Sequence, residues 1–345
     1  MAIQCPTVAY TTQQIWIKPG HRLYRYFQAS CQNAKNMHNM VNFFIRQVYT
    51  GLTSEKALHP LQTEVLETIH RNLDKMNNQQ RKAYQGRLAK EKTKPVDQQK
   101  KVTCHLFQAP TRERPYVHYN FLNSLFLIIK QPDYLALPTQ SSQWVMKTVF
   151  QNWKSFYASL KDYKLHPEKY KARPHIPNYC RSLEKEVLFT NQDCVIKASK
   201  YLKFPKTKDR LNIGKLGGSG KRMQVRVIPK YGRYVVELVF RREEVNQSKP
   251  SPTGTIMALD LGITNLVSGV TNTGATPFLI KGNRIKSINH YYNKRVAHYR
   301  AILRHGKAPK EGAHTSRRLE RLHQIRYRKL KDLFHKASHT IVNLA

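Results

Sequence analysis

With 345 residues, 60 Lys plus Arg and only 21 Asp plus Glu, the chain carries a formal charge of +39. A field of that sign concentrates polyanions and makes binding steeply salt-dependent, so nucleic acid is the expected partner, with a ribosome-associated or otherwise basic protein as the plainer class. The length permits two or three domains with a real core. Five widely spaced cysteines, Cys5, Cys31, Cys104, Cys180 and Cys194, form no C-x-x-C pair, which argues for reduced thiols in the cytoplasm and supplies no zinc ribbon. No long charge-free apolar run exists, so neither a membrane span nor secretion is expected.

In chain order, residues 11–18 read as a strand around Ile15 and Ile17, ended by Pro19-Gly20. From Ser30 a helix carries Ala34, Met37, Val41, Phe44, Ile45 and Val48 on one face and stops near Gly51. Its other face offers Lys35, Asn36, Asn39 and Asn42, as a solvated surface or as phosphate and base contacts. Residues 61–76 give a second helical stripe, which fades through 77–80. Much of 81–114 is expected to be mobile, or ordered only on a partner.

The helical pattern returns over 140–163 with Val145, Val149, Trp153, Phe156 and Leu160, and that spacing assigns Trp153 to the core. Residues 164–179 form a Pro-punctuated basic connector, on which Arg173 and His175 can follow a phosphate chain. Residues 187–204 and 223–240 are β-rich. The best hairpin pairs 224–229 with 234–240 through Lys230-Tyr231-Gly232-Arg233, and strand 10–18 is expected to join that sheet. Residues 246–254 read as a linker.

Residues 255–265, T-I-M-A-L-D-L-G-I-T-N, read as a buried strand (Ile256, Ala258, Leu259) that delivers Asp260 to its end, before Gly262. A carboxylate at the end of an apolar run must be paired, hydrogen-bonded or metal-bound. Two more short strands, 267–270 and 276–280, follow around the turn 271–274, then a helix over 287–303 with Ser287 as its N-cap. Strand, strand, strand, helix is the order of an RNase H-like nuclease core. A final helix from Ser316 sets Leu319, Leu322, Leu330, Leu333, Ala337, Ile341 and Leu344 against a face bearing Arg317, Arg321, Arg328, Lys331 and Lys336. Residues 281–345 hold 17 Lys plus Arg against 3 acids, a density that favours a phosphate backbone over a merely solvated surface.

These runs carry a specific resemblance. D-L-G-I-T-N (260–265), K-G-N-R-I-K-S-I-N-H-Y-Y-N-K-R (281–295), S-R-R-L (316–319) and H-K-A-S-H-T-I-V (335–342) look like the OrfB/TnpB family of insertion-sequence proteins, relatives of the type V CRISPR effectors. Upstream, L-P-T-Q (137–140), N-W-K-S-F (152–156), 169–179, F-T-N-Q (189–192) and L-K-F-P (202–205) match in the same order, and 60–115 is least recognisable. The fold it implies is a multi-domain α/β chain: a β-barrel-like wedge (1–29 and 185–245) interrupted by a helical recognition lobe (30–184, with a variable insertion at about 60–115). A linker (246–254) then leads to an incomplete RNase H-like, RuvC-like domain (255–345).

The resemblance also implies Mg²⁺-dependent DNA cleavage guided by an RNA from the element end, with target DNA as the other partner and a companion transposase on the same element. Asp260 matches the first catalytic, metal-binding acid, whereas the later Glu, Asp and zinc module have no match here. The sequence is therefore expected to stop inside the nuclease domain and to bind nucleic acid without cutting. An RNA-guided repressor and a decayed, non-folding fragment are the alternatives. Lys35, Asn39, Arg173, Lys286, Arg317, Arg321, Arg328 and Lys331 are the expected nucleic-acid contacts.

Three apparent motifs fail on their own chemistry. In 214–222, Lys215 stands where a phosphate loop needs its first Gly and Arg222 where it needs Ser or Thr. His335 and His339 are spaced for zinc, but Lys336 takes the place of the protease Glu. Cys104-His105 stands isolated and is assigned no nucleophile. The acids after Asp260, namely Glu311, Glu320 and Asp332, read as helix-surface ion-pair partners or turn residues rather than metal ligands.

Overall fold

The computed structural model describes residues 8–198, 200–214, 221–243, 254, 256–308 and 311–344 as a mixed α/β chain with several antiparallel sheets. Most of the dismissed loop 214–222 and of the linker 246–254 lies outside the described residues. Chain contacts divide it into two compact units, one of residues 10–229 and 234–241, the other of 1–9, 230–233 and 242–345.

In the first unit, β1 (Val8–Ile17) leads into α1 (Tyr24–Thr53). Phe27, Cys31, Ala34, Met37, Val41, Ile45 and Val48 recur at three- or four-residue spacing and are all buried. α2 (Pro60–Lys92) opens on a capping box, in which His59 accepts from the Leu61 amide and Gln62 reaches back to the His59 amide. α2 then runs 33 residues, so the expectation of mobility from residue 81 is corrected: Arg, Lys, Ala, Gln and Leu sustain the helix after its apolar stripe ends. Further on, past a mostly exposed stretch over 93–106, Phe107 and Val117 are buried.

α3 (Tyr119–Ile128), α4 (Pro132–Ala136) and α5 (Thr139–Leu165) complete the helices of this unit. Trp153 of α5 is 1% exposed and donates its indole N–H to Asn42 Oδ1 at 2.8 Å, in line with its core assignment. The strands are β2 (Val187–Thr190), β3 (Val195–Lys197), β4 (Tyr201–Lys203), β5 (Arg210–Asn212), β6 (Lys221–Lys230) and β7 (Arg233–Glu243). One sheet has the order β1-β7-β6-β2, so the first strand does join the hairpin; the other is β3-β4-β5. Tyr231 and Gly232 turn the β6–β7 hairpin with φ of 55° and 64°, the left-handed pair of a two-residue turn that matches strand twist.

In the second unit, β8 (Met257–Leu261), β9 (Asn265–Thr271) and β10 (Phe278–Lys281) form an antiparallel meander of order β10-β9-β8. α6 (Asn283–Arg304) starts on Gly282 rather than on Ser287, five residues before the sequence signal. Backbone crowding sets that start: the Gly282 amide donates to Thr264 O at 2.8 Å, and a Cβ at this position would run into the Ile263 carbonyl oxygen. Gly282→Ala is therefore expected to cost about 1–3 kcal/mol, read as a lower urea midpoint at unchanged slope. A wild-type midpoint would show that the turn yields freely.

α7 (Arg317–Leu344) packs against α6 through Val296, Leu319 and Leu322, flanked by Tyr292, Tyr299 and Leu303. Beyond Ala337 its apolar stripe is less covered, and Leu344 is half exposed.

Candidate nucleic-acid interface

Asp260 lies on β8 opposite Ser268 of β9. The strand forms as the sequence suggests, but its burial is corrected: Ile256, Leu259 and Leu261 are 66%, 45% and 74% exposed, and Asp260 is exposed with them. β8 is the edge of a three-stranded sheet, paired on one side only.

The turn after Asp260 is tightly held. The Gly262 amide donates to Leu266 O at 3.3 Å, and Lys286 Nζ donates to Thr264 Oγ1 at 3.0 Å. Lys286, expected as a phosphate contact, is exposed and braces this turn with its ammonium. K-G-N before a helix was the available signal for that close approach.

A two-metal centre requires several carboxylates around bridging ions. Asp332 pairs with Lys336 at 2.9 Å, Glu320 accepts from the Thr315 hydroxyl at 2.7 Å, and Glu311 accepts from the Ala308 amide at 3.3 Å. Among the described residues no three His, Cys, Asp or Glu side chains come together as a metal-holding group. Asp260 and its surroundings do not by themselves fit a two-ion Mg²⁺ site.

The basic residues of α7 fare differently. Arg317, Arg321, Arg328 and Lys331 follow one another at four-, seven- and three-residue steps, which sets them on one face, and all four are exposed. Leu319, Leu322 and Ala337, buried on another side of the helix, keep that face outward. Four cations along one face can follow successive phosphates. Beside this face lies a cluster that the sequence did not reveal. Lys230 Nζ stands 4.1 Å from the centre of the Tyr327 ring, the Tyr231 ring stacks on His323 at 6.0 Å, and Tyr292 Oη is 2.7 Å from His323 Nδ1. Its members are distant in sequence and share no motif.

The contacts expected in the other unit separate. Lys35 and Arg173 are accessible, Lys35 at 3.4 Å from Asn36 Oδ1 and Arg173 on the connector. Asn39 is engaged: its Nδ2 donates to Cys180 O at 3.1 Å and its Oδ1 accepts the Cys180 amide at 2.8 Å. Asn42 is fully buried, donating to Pro177 O at 3.1 Å while it accepts from Trp153. At these two positions the asparagine face of α1 straps down the connector at 177–180, with Asn39 half-buried and Asn42 buried. Burial, followed by the nearby Lys185 ammonium, holds the neighbouring His38 imidazole below its ordinary value. Burial pushes the Cys31 thiol up, so that it is no nucleophile at neutral pH.

Among the described residues no helix is long and apolar enough to cross a membrane. Residues 237–345 match the family model OrfB_IS605, described as a probable transposase. No curated protein sequence matches the chain. Among solved structures, it is similar to one described as the cryo-EM structure of the Cas12f1–sgRNA–target DNA complex, at 9% identity and a TM-score of 0.33, over 98% of this chain and 78% of that one. A likeness of that degree bears no weight on activity here.

Proposed function

We propose, from the match of residues 237–345 to the OrfB_IS605 model of probable transposases, a transposon-encoded protein that binds nucleic acid and does not cut it unaided. The single observation behind the binding half is the exposed row Arg317, Arg321, Arg328 and Lys331, which lies inside the family segment. The partners in this reading are a guide RNA from the element end and target DNA, met in the cytoplasm. A companion transposase acting on the same element is a further partner. The layout in this reading is a wedge of 1–29 and 185–245 around a helical lobe, followed by a RuvC-like segment from 255.

The other half of the proposal rests on the acids. In-line hydrolysis with Mg²⁺ needs carboxylates on both ions, and Glu311, Glu320 and Asp332 are held by other partners. In this reading Asp260 is the inherited ligand position, and one carboxylate does not hold both ions alone.

Plasmid cleavage with Mg²⁺ tests this, using the chain copurified with RNA from its own locus beside Asp260→Ala. RNA is expected to copurify with both, and neither is expected to nick the plasmid. Guide-dependent cutting that Asp260→Ala abolishes would show that the acids at hand suffice. Retained RNA without cutting fits a binding protein, including a repressor; no RNA at moderate salt points to a decayed fragment.

A further inference from the structure

A cavity of about 420 Å³ opens in the first unit between α2, the extended segment through Phe107, and α3. That volume lies within the range of small-molecule sites. α3 contributes Asn120, Asn123 and Ser124, at the i, i+3, i+4 spacing of one helix face, and α2 contributes Gln80 and Arg87, two turns apart.

The third wall is pinned in place. Asn77 Nδ2 donates to Phe107 O at 3.0 Å, and the Phe107 amide donates to Asn77 Oδ1 at 2.7 Å. The Phe107 ring lies 5.7 Å from that of His118, whose Nδ1 caps α3 by accepting the Phe121 amide at 3.2 Å. Burial lowers the His118 imidazole's proton affinity, in keeping with this acceptor role.

The polar groups on the cavity share one character. The Tyr134 hydroxyl donates to Asn123 Oδ1 at 3.0 Å, which orients that amide with its N–H₂ end available. Ser124 is 7% exposed and still lines the cavity with a hydroxyl. Asparagine and glutamine amides present a donor and an acceptor side by side, the pattern that reads a base edge. Arg87 at the rim supplies a fork for phosphate, and no carboxylate lines the space to repel it. A solvated protein surface would carry such residues too, but without a concave wall pinned by paired hydrogen bonds.

We propose that this cavity receives one unpaired nucleobase of a single-stranded nucleic acid, with its edge on the Asn120 and Gln80 amides, its face against the Phe107–His118 wall, and Arg87 on an adjoining phosphate. The inference rests on the nucleic-acid reading above and adds a place and a ligand class to it.

The test compares full-length chain with an Asn120→Ala/Gln80→Ala double variant. Both positions lie at the surface of their helices, and matching thermal melts confirm an intact fold. Binding is measured for a short single strand and for the same strand with abasic sites, and AMP is presented separately by saturation-transfer NMR. The expected result is roughly tenfold tighter binding of the base-bearing strand by the wild type, with that preference lost in the double variant while the abasic strand binds both equally. AMP signals are expected for the wild type alone.

Equal preference in the two proteins, with no AMP contact, overturns the base site and leaves the nucleic-acid reading standing. AMP binding lost in the variant, without any strand binding, keeps the site and removes that reading. No binding of strand or AMP overturns both.

Discussion

Trp153→Ala is expected to destabilise the first unit by about 3–5 kcal/mol, the range for truncating a large buried aromatic. The indole is 1% exposed and sits with its centroid 5.6 Å from each of the Tyr49, Phe156 and Tyr157 rings, so the space it leaves is walled by side chains that are themselves packed. A second effect adds to the cavity. Asn42 Oδ1 loses its donor at 2.8 Å in a fully buried position, and an unmet buried acceptor costs about 1–3 kcal/mol.

Trp153→Phe separates the two contributions, since it keeps most of the volume and removes the N–H. Urea unfolding should therefore rank wild type above Trp153→Phe above Trp153→Ala. A loss below about 1 kcal/mol for the alanine variant would place the indole outside the stabilising core. Because Asn42 also holds Pro177, both variants are expected to loosen the connector, read as faster amide exchange at Cys180.

Neutralising the α7 face is the second large effect. With Arg317, Arg321, Arg328 and Lys331 all changed to alanine, the slope of log affinity against log salt should fall by about three to four, one unit for each lost phosphate contact. Affinity at moderate salt should drop roughly a hundredfold or more, evenly across sequences, because phosphate contacts carry no base information. All four side chains are exposed and alanine is the best helix former, so α7 should persist and its circular dichroism should not change. An unchanged slope would remove α7 from the interface and move the electrostatic footprint elsewhere on the chain.

What the sequence disclosed and what it hid divide along a physical line. Signals within a few residues were legible: the Tyr231-Gly232 turn, the Trp153 stripe, the strand with Asp260, and the basic face of α7. Each depends on periodicity or on one residue's conformational freedom.

Features set by contacts distant in sequence were not legible. Asn39 and Asn42 looked like surface residues because their partners, Cys180 and Pro177, come from a connector 141 and 135 positions away. The exposure of Leu259 and Leu261 was hidden for a related reason, since an apolar strand announces its own character but not whether anything covers it. α2 outran its stripe because propensity, spread over many weak contributors, carries a helix where burial does not. The wall around Phe107 lay in the least recognisable stretch, where no motif pointed to Asn77 thirty residues earlier.

The pairing of β1 with β7 has a consequence for how the chain is made. Gln14 Nε2 donates to Glu237 Oε1 across 223 positions of sequence. A ribosome adding about 5–20 residues per second needs roughly 10–50 s to bring the second partner out after the first. During that interval the opening strand has neither its neighbour nor its register, while α1, α2 and α5 can already assemble. The sheet is therefore expected to close after these helices, and nascent chains stalled before residue 233 should present β1 to chaperones with its hydrogen-bonding edge open.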